Sequence, residues 1–283
     1  MKTRFLPISL ALTAIASSHA LAQLPGAVKT AQTSTAPLTA ADIFFSEDFE
    51  ATPVGEIPKG FTKSGAVAVA EDFAHGGKHA LKLDSALKGA RTINLGSSAA
   101  SAIGGEHWGR LYYRVKLPTP LPVVPEGKTS AGIHTTLVSG KATSPLANDP
   151  IEVRLAGTST GMDGSFKYLY NVQTKLRGEF GLSAKTPLKY SDQWTLIEWH
   201  ADNATQTYQF FVNGQEVPEI SFTKGAGQFE KAEIPASFDS MSFGWLNYQP
   251  ASGEGFTAWI DDLVLAKKRI GGGPVPETMG IRK

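Results

Sequence analysis

The chain reads as an all-β protein, an antiparallel β-sandwich of the jelly-roll type, on three observations. Short segments with alternating apolar and polar residues recur along it, each bounded by turn residues. Helical periodicity is almost absent and no internal repeat is present. The 283 residues include no cysteine, so stability rests on a core that needs no disulfide staples. The stretch 42–270 is long enough to bury such a core as one domain.

The elements follow in order. Residues 1–22 carry a basic start (Met1-Lys2-Thr3-Arg4), an apolar run from Phe5 to Ile15, and small residues at Ala20 and Ala22. This is the pattern of a secretory signal peptide cleaved after Ala22, and a secreted or periplasmic protein is expected. The apolar run is too short for a membrane span and no comparable run follows. Residues 23–41, rich in Ala, Thr, Pro and Gln, are expected to form a flexible linker, and "GGGPVPETMGIRK" (271–283) a disordered tail. Between them, strands are expected at AVAVAE (66–71), HALKLD (79–84), ARTINL (90–95), WGRLYYRVKL (108–117) and GIHTTLVSG (132–140). Further strands are expected at IEVRLAG (151–157), FKYLYNVQT (166–174), TLIEWHAD (195–202), TYQFFVNG (207–214), SMSFGWLNY (240–248) and FTAWIDDLVLAKK (256–268). Ile151, Val153, Leu155, Ile197, Trp199, Phe211 and Trp259 are the expected core contributors.

Charge narrows the partners. The chain has 27 basic and 26 acidic residues; losing Lys2 and Arg4 with the leader leaves 25 against 26, formally −1. Such neutrality makes no electrostatic case for nucleic acid or an anionic membrane surface. A monomer is expected.

The stretch "QWTLIEWHADNATQTYQFFVNGQEV" pairs two apolar strands across a polar turn and ends at Asn213-Gly214, a tight-turn dipeptide. That layout resembles the concanavalin A-like jelly roll of secreted glucanases, lectins and polysaccharide lyases. "FSEDFEATPVGEIPKGF", "GGKHALKLD" and "AWIDDLVL" resemble the framing motifs of carbohydrate-active sandwiches. Over Ile43 to Lys268 the chain is similar to the cellulose-induced-protein-like family, a lyase-like jelly roll related to glucuronan and alginate lyases. The resemblance implies a polysaccharide partner, with β-elimination on an acidic (uronate) polymer as the activity.

The residues bear on that activity directly. A retaining glucanase of this fold shows paired carboxylates on one strand in an E-x-D-x-E-like pattern, which is missing, so glycoside hydrolysis is disfavoured. β-Elimination needs a group to neutralise the uronate carboxylate and groups to move protons. The middle strands supply His134, Arg154, Tyr170 and Gln173 as candidate catalytic residues, with Glu152, His200, Trp245 and Tyr248 as candidate substrate-binding residues. Arg154 could hold a carboxylate through two parallel hydrogen bonds. Two other readings use the same residues: a noncatalytic carbohydrate-binding module with Trp245 and Tyr248 stacking on sugar rings, or an envelope protein. Finally, acids at both ends of the domain suggest a structural calcium ion held by Glu47 or Asp48, Asp261 and the carbonyl of Lys78.

Overall fold

Alternation along each strand decides which side chains meet and which face outward, and the computed structural model follows it closely. The structure describes residues 38–223 and 232–276. The expected signal peptide and most of the expected linker lie outside the described residues. A 3-10 turn, Ala40–Asp42, opens the fold and is capped by the Asp42 carboxylate, which accepts from the Thr39 N–H and hydroxyl.

The strands are β1 (Ile43–Glu47), β2 (Phe61–Ser64), β3 (Val67–Ala70), β4 (Ala80–Ala86), β5 (Gly89–Leu95), β6 (Glu106–Val115), β7 (Ile133–Thr143), β8 (Pro150–Thr160) and β9 (Ser165–Thr174). They continue with β10 (Phe180–Ser183), β11 (Leu188–Lys189), β12 (Thr195–Asp202), β13 (Thr207–Val212), β14 (Gln215–Glu216), β15 (Phe222–Thr223), β16 (Ser240–Asn247) and β17 (Phe256–Ala266). One short helix, α1 (Ser97–Ile103), lies between β5 and β6. Every segment expected to be a strand is one. The six strands outside those segments, β1, β2, β10, β11, β14 and β15, run five residues or fewer, too short for alternation to register.

Two antiparallel sheets form the sandwich. The first runs β14-β13-β12-β6-β17-β4-β3, with β1 on β17 and β15 on β13; the second runs β10-β9-β8-β7-β16-β5-β2, with β11 on β9. The Asn213-Gly214 turn has positive φ at both residues (48° and 80°), the geometry that matches the twist of a two-residue hairpin. Between the sheets, Tyr113 on β6 and Tyr168 on β9 share a hydroxyl–hydroxyl bond of 2.6 Å, and the Tyr208 hydroxyl donates to the carbonyl of Leu155 on the facing sheet. Those bonds satisfy polar atoms that would otherwise be costly in an apolar interior. Trp199 fits because residue 109 is glycine: a Cβ there would overlap the indole.

All seven expected core residues are buried, but two lie outside the main core. Phe211 lies beneath the Arg269 guanidinium, 3.9 Å from its ring, and Trp259 donates its indole N–H to Asp72 while Lys82 sits over its ring. Both are on the outer face of the first sheet. What covers that face corrects the expected domain end at residue 270. Instead of starting a free tail, residues Gly271 to Gly273 lie as a strap across the sheet. Arg110, itself buried, donates to the carbonyls of Gly271 and Gly273 at 2.8 and 2.7 Å, and the Gly271 N–H donates to the buried Glu198. Ile270 and Val275 pack with Ile43, Val264 and Ala266, and Leu38 joins them from the other end of the fold.

Candidate functional site

On β8, Ile151, Val153 and Leu155 point into the core, so Glu152 and Arg154 face outward from the second sheet. On β9, Phe166, Tyr168, Tyr170 and Val172 are buried, which turns Leu169, Asn171 and Gln173 to the same outer side. Register completes the arrangement: Glu152 stands opposite Gln173, Arg154 opposite Asn171, and Asn171 opposite Gly181 of β10.

Arg154 is the hub. Its Nε donates to Glu152 at 3.2 Å, one terminal nitrogen donates to Glu179 at 3.3 Å, and the other donates to the side-chain carbonyl of Gln173. Its guanidinium lies 4.2 Å from the Tyr248 ring centroid, a stacked cation–π geometry. Its side chain is 11% exposed, so most of this contact is withdrawn from water. Tyr248 in turn shares a hydroxyl–hydroxyl bond with Thr136 (3.2 Å) and reaches Glu152 at 3.4 Å. Burial, the largest influence, raises the Tyr248 phenol above its usual range, so it stays protonated as a donor. Asn171 donates to Glu179 at 2.6 Å.

Arg154, Glu179, Asn171, Thr136 and Tyr248 border an open cleft of about 210 Å³, lined also by His134 and Gly181, while Glu152 and Gln173 meet it through their bonds to Arg154. That is below the roughly 300–1,000 Å³ of enclosed small-molecule pockets, and it suits one ring-sized unit of a longer ligand lying across the sheet. Gly181 keeps the floor clear, since a Cβ there would stand 3.1 Å from the Asn171 amide nitrogen.

The structure therefore brings together Arg154, Glu152, Gln173, His134 and Tyr248. It separates three others from them. Tyr170 is fully buried and donates its hydroxyl to the carbonyl of Glu233 at 2.7 Å, with its ring against Tyr208 and Phe222. Trp245 is fully buried among Tyr113, Tyr190 and Phe256. His200 belongs to the other sheet, where it stacks on Trp108 with centroids 4.4 Å apart. Trp245 and His200 thus cannot contact a ligand in this cleft, and Tyr170, which borders it, turns its side chain away into the core. Glu179 and Asn171 were not anticipated. Glu179 precedes a four-residue strand with no readable period, whereas Asn171 shares the outward parity of Gln173 and could have been found from it.

The carboxylates nominated for calcium each accept from backbone donors. Glu47 accepts from the Phe49 N–H at 2.9 Å, Asp48 from the Glu50 N–H at 3.2 Å, and Asp261 from the N–H groups of His75, Gly76 and Asp262. Glu50 is what reaches the Gly-rich turn, accepting from the N–H groups of Lys78 and His79. Among the described residues, no group of three or more His, Asp or Glu side chains is placed to hold a metal ion. No helix among them is long and apolar enough to cross a membrane.

No family model and no curated protein matches the chain. Solved structures do. "Cellulose induced protein, Cip1" is 19% identical, with 81% of this chain and 99% of that chain covered at a TM-score of 0.55. The botulinum neurotoxin serotype C1 binding domain is 11% identical, with 82% of this chain covered at a TM-score of 0.51. A type C neurotoxin structure, described by the dependence of cell entry on two ganglioside molecules, has 11% identity and a TM-score of 0.50. The chain spans about half the length of the neurotoxin chains, 50% and 49% respectively. At such identities the likeness shows the fold, a Cip1-like antiparallel β-sandwich.

Proposed function

We propose that the protein binds carbohydrate in the cleft on the outer face of its second sheet and performs no chemistry there. The observation that carries this reading is the Arg154 hub: a guanidinium stacked on Tyr248, with three polar side chains arrayed around it beside open space. Rigid polar groups beside an aromatic ring are what recognition of sugar hydroxyls requires. The ganglioside interaction of the type C neurotoxin is in keeping with this fold class serving saccharide recognition. β-Elimination is less well supported, because the tyrosine nominated to move a proton is buried against Glu233 and Arg154 is already committed to neighbouring side chains.

The test is isothermal titration with a panel of soluble polysaccharides. Tyr248→Ala should weaken binding by about tenfold or more, the scale of a central aromatic contact. With polyuronates the ultraviolet absorbance of an unsaturated product should stay flat. Unchanged affinity in Tyr248→Ala, or a growing absorbance that His134→Ala abolishes, would overturn the reading.

A further inference from the structure

The charge inside the cleft says more than the presence of a cleft does. Arg154 is flanked by Glu179, which lines the cleft with it, and by Glu152, which is paired to it beside the lining residues, one cation between two carboxylates. Both acids approach through one oxygen: Glu152 Oε1 takes Arg154 and Tyr248, and Glu179 Oε1 takes Arg154 and Asn171. Their second oxygens have no protein donor among the described residues. The Asn171 side-chain oxygen, buried at the cleft, has none either. What the cleft offers a ligand is therefore mainly acceptors under a negative local balance.

A sugar carboxylate has only lone pairs to bring and would be set against Glu152 and Glu179, whereas a hydroxyl donates to them and can still accept from the remaining N–H groups of Arg154. Desolvated polar groups left unpaired are what make a site reject the wrong ligand. An ammonium group can donate to the carboxylates, but it carries no lone pair, so it would repel Arg154 and leave the remaining N–H groups of that guanidinium unpaired, whereas a hydroxyl serves both. From this, and resting on the reading of the cleft as a saccharide site, we propose that its ligand is an uncharged, hydroxyl-rich saccharide, and that Glu152 and Glu179 exclude uronates.

The experiment compares matched chains by isothermal titration at low salt: a neutral glucan, xylan and mannan panel against polygalacturonate, alginate and chitosan. Wild type should bind a neutral polymer at least about tenfold more tightly than any charged one, a gap of the size that like-charge juxtaposition produces. The double variant Glu152→Gln/Glu179→Gln, checked for an unchanged thermal melt, should lose neutral-polymer affinity and gain polyuronate affinity. Tyr248→Ala separates the two claims. Binding of a polyuronate or chitosan as tight as that of any neutral polymer, and lost in Tyr248→Ala, overturns the neutral-ligand inference and leaves the saccharide site standing. Binding indifferent to Tyr248→Ala overturns the site. Should the double variant unfold, the wild-type preference and the single Glu179→Gln variant, whose side chain is 54% exposed, decide the matter.

Discussion

Replacing Arg269 with methionine isolates the strap that closes the first sheet. Arg269 meets Glu198 through two contacts, Nε to Oε1 at 3.3 Å and a terminal nitrogen to Oε2 at 3.1 Å, and also donates to the Gly214 carbonyl at 3.2 Å. The Glu198 side chain is 1% exposed, so it cannot recover water when its partner goes. Removing one member of a buried pair costs about 3–5 kcal/mol, because an uncompensated charge stays inside. The Gly271 N–H still donates to Glu198 at 2.9 Å, and Arg110 is nearby, which favours the lower end, about 3 kcal/mol. For a domain of this size that corresponds to a fall in melting temperature of about 6–12 °C. Denaturant titration measures it directly, as a lower midpoint at unchanged slope. The double variant Arg269→Met/Glu198→Met removes both charges and should recover most of the loss. A loss below about 1 kcal/mol in the single variant, or a double variant no more stable than the single, would refute the account of the strap as a buried electrostatic lock.

Three further outcomes are expected. His107 is fully buried, which pushes its imidazole down to about 3, with His200 adding to the shift. The unfolded chain takes up a proton near pH 6.5 and the folded one does not, so stability is full above that value and falls as pH drops from about 6.5 toward 3. His107→Gln should flatten that acid limb in melts run from pH 7 to 4, and an identical slope in both proteins would count against the buried neutral ring. Gly109→Ala drives a methyl into the Trp199 indole and should cost about 1–3 kcal/mol by overpacking, read from the denaturation midpoint; a neutral result would mean the indole can move. Tyr170→Phe should lose about 1–2 kcal/mol by leaving the Glu233 carbonyl unpaired, with saccharide affinity unchanged by titration. A large affinity loss would return Tyr170 to the site.

Much of the fold was legible because strands such as β8 and β9 have one apolar face and a readable period of two. Ile151, Val153 and Leu155 against Glu152 and Arg154 already sort interior from exterior, and the structure sorts them the same way. Phe211 and Trp259 were less readable. Each sits next to a residue of the main core, Phe210 and Ile260 respectively, and so must face the other way. They are buried because later and earlier segments cover the outer face of the first sheet. Nothing in the strand itself announces such a cover. The strap that follows Arg269 least of all could be foreseen: Gly271, Gly272 and Gly273 carry no side chain to signal contact, and their carbonyls accept from Arg110 and Tyr112. Glycine makes this possible, since a Cβ at residue 272 would stand 3.2 Å from the Tyr112 hydroxyl.

The same parity rule separates the candidate residues whose side chains share the outer face of the second sheet from those turned into the core. Tyr170 and Gln173 are three residues apart on one strand, as are Trp245 and Tyr248 near the end of another, and an odd spacing places side chains on opposite faces. Gln173 shares its face with Asn171, while Tyr170 shares the buried face of Phe166 and Val172. Trp245 shares the face of Met241 and Phe243, which leaves Tyr248 to the cleft. Once Arg154 is taken as an outward residue, the pairing of β8 with β9 admits Gln173 and excludes Tyr170 on geometry alone. His200 is a different case. Its outward parity is right, yet β12 pairs with β6 and β13 in the opposite sheet, a long-range choice that depends on the whole topology and not on any local pattern. Local periodicity therefore specifies which residues can share a face, and only the order of strands specifies which faces become one surface.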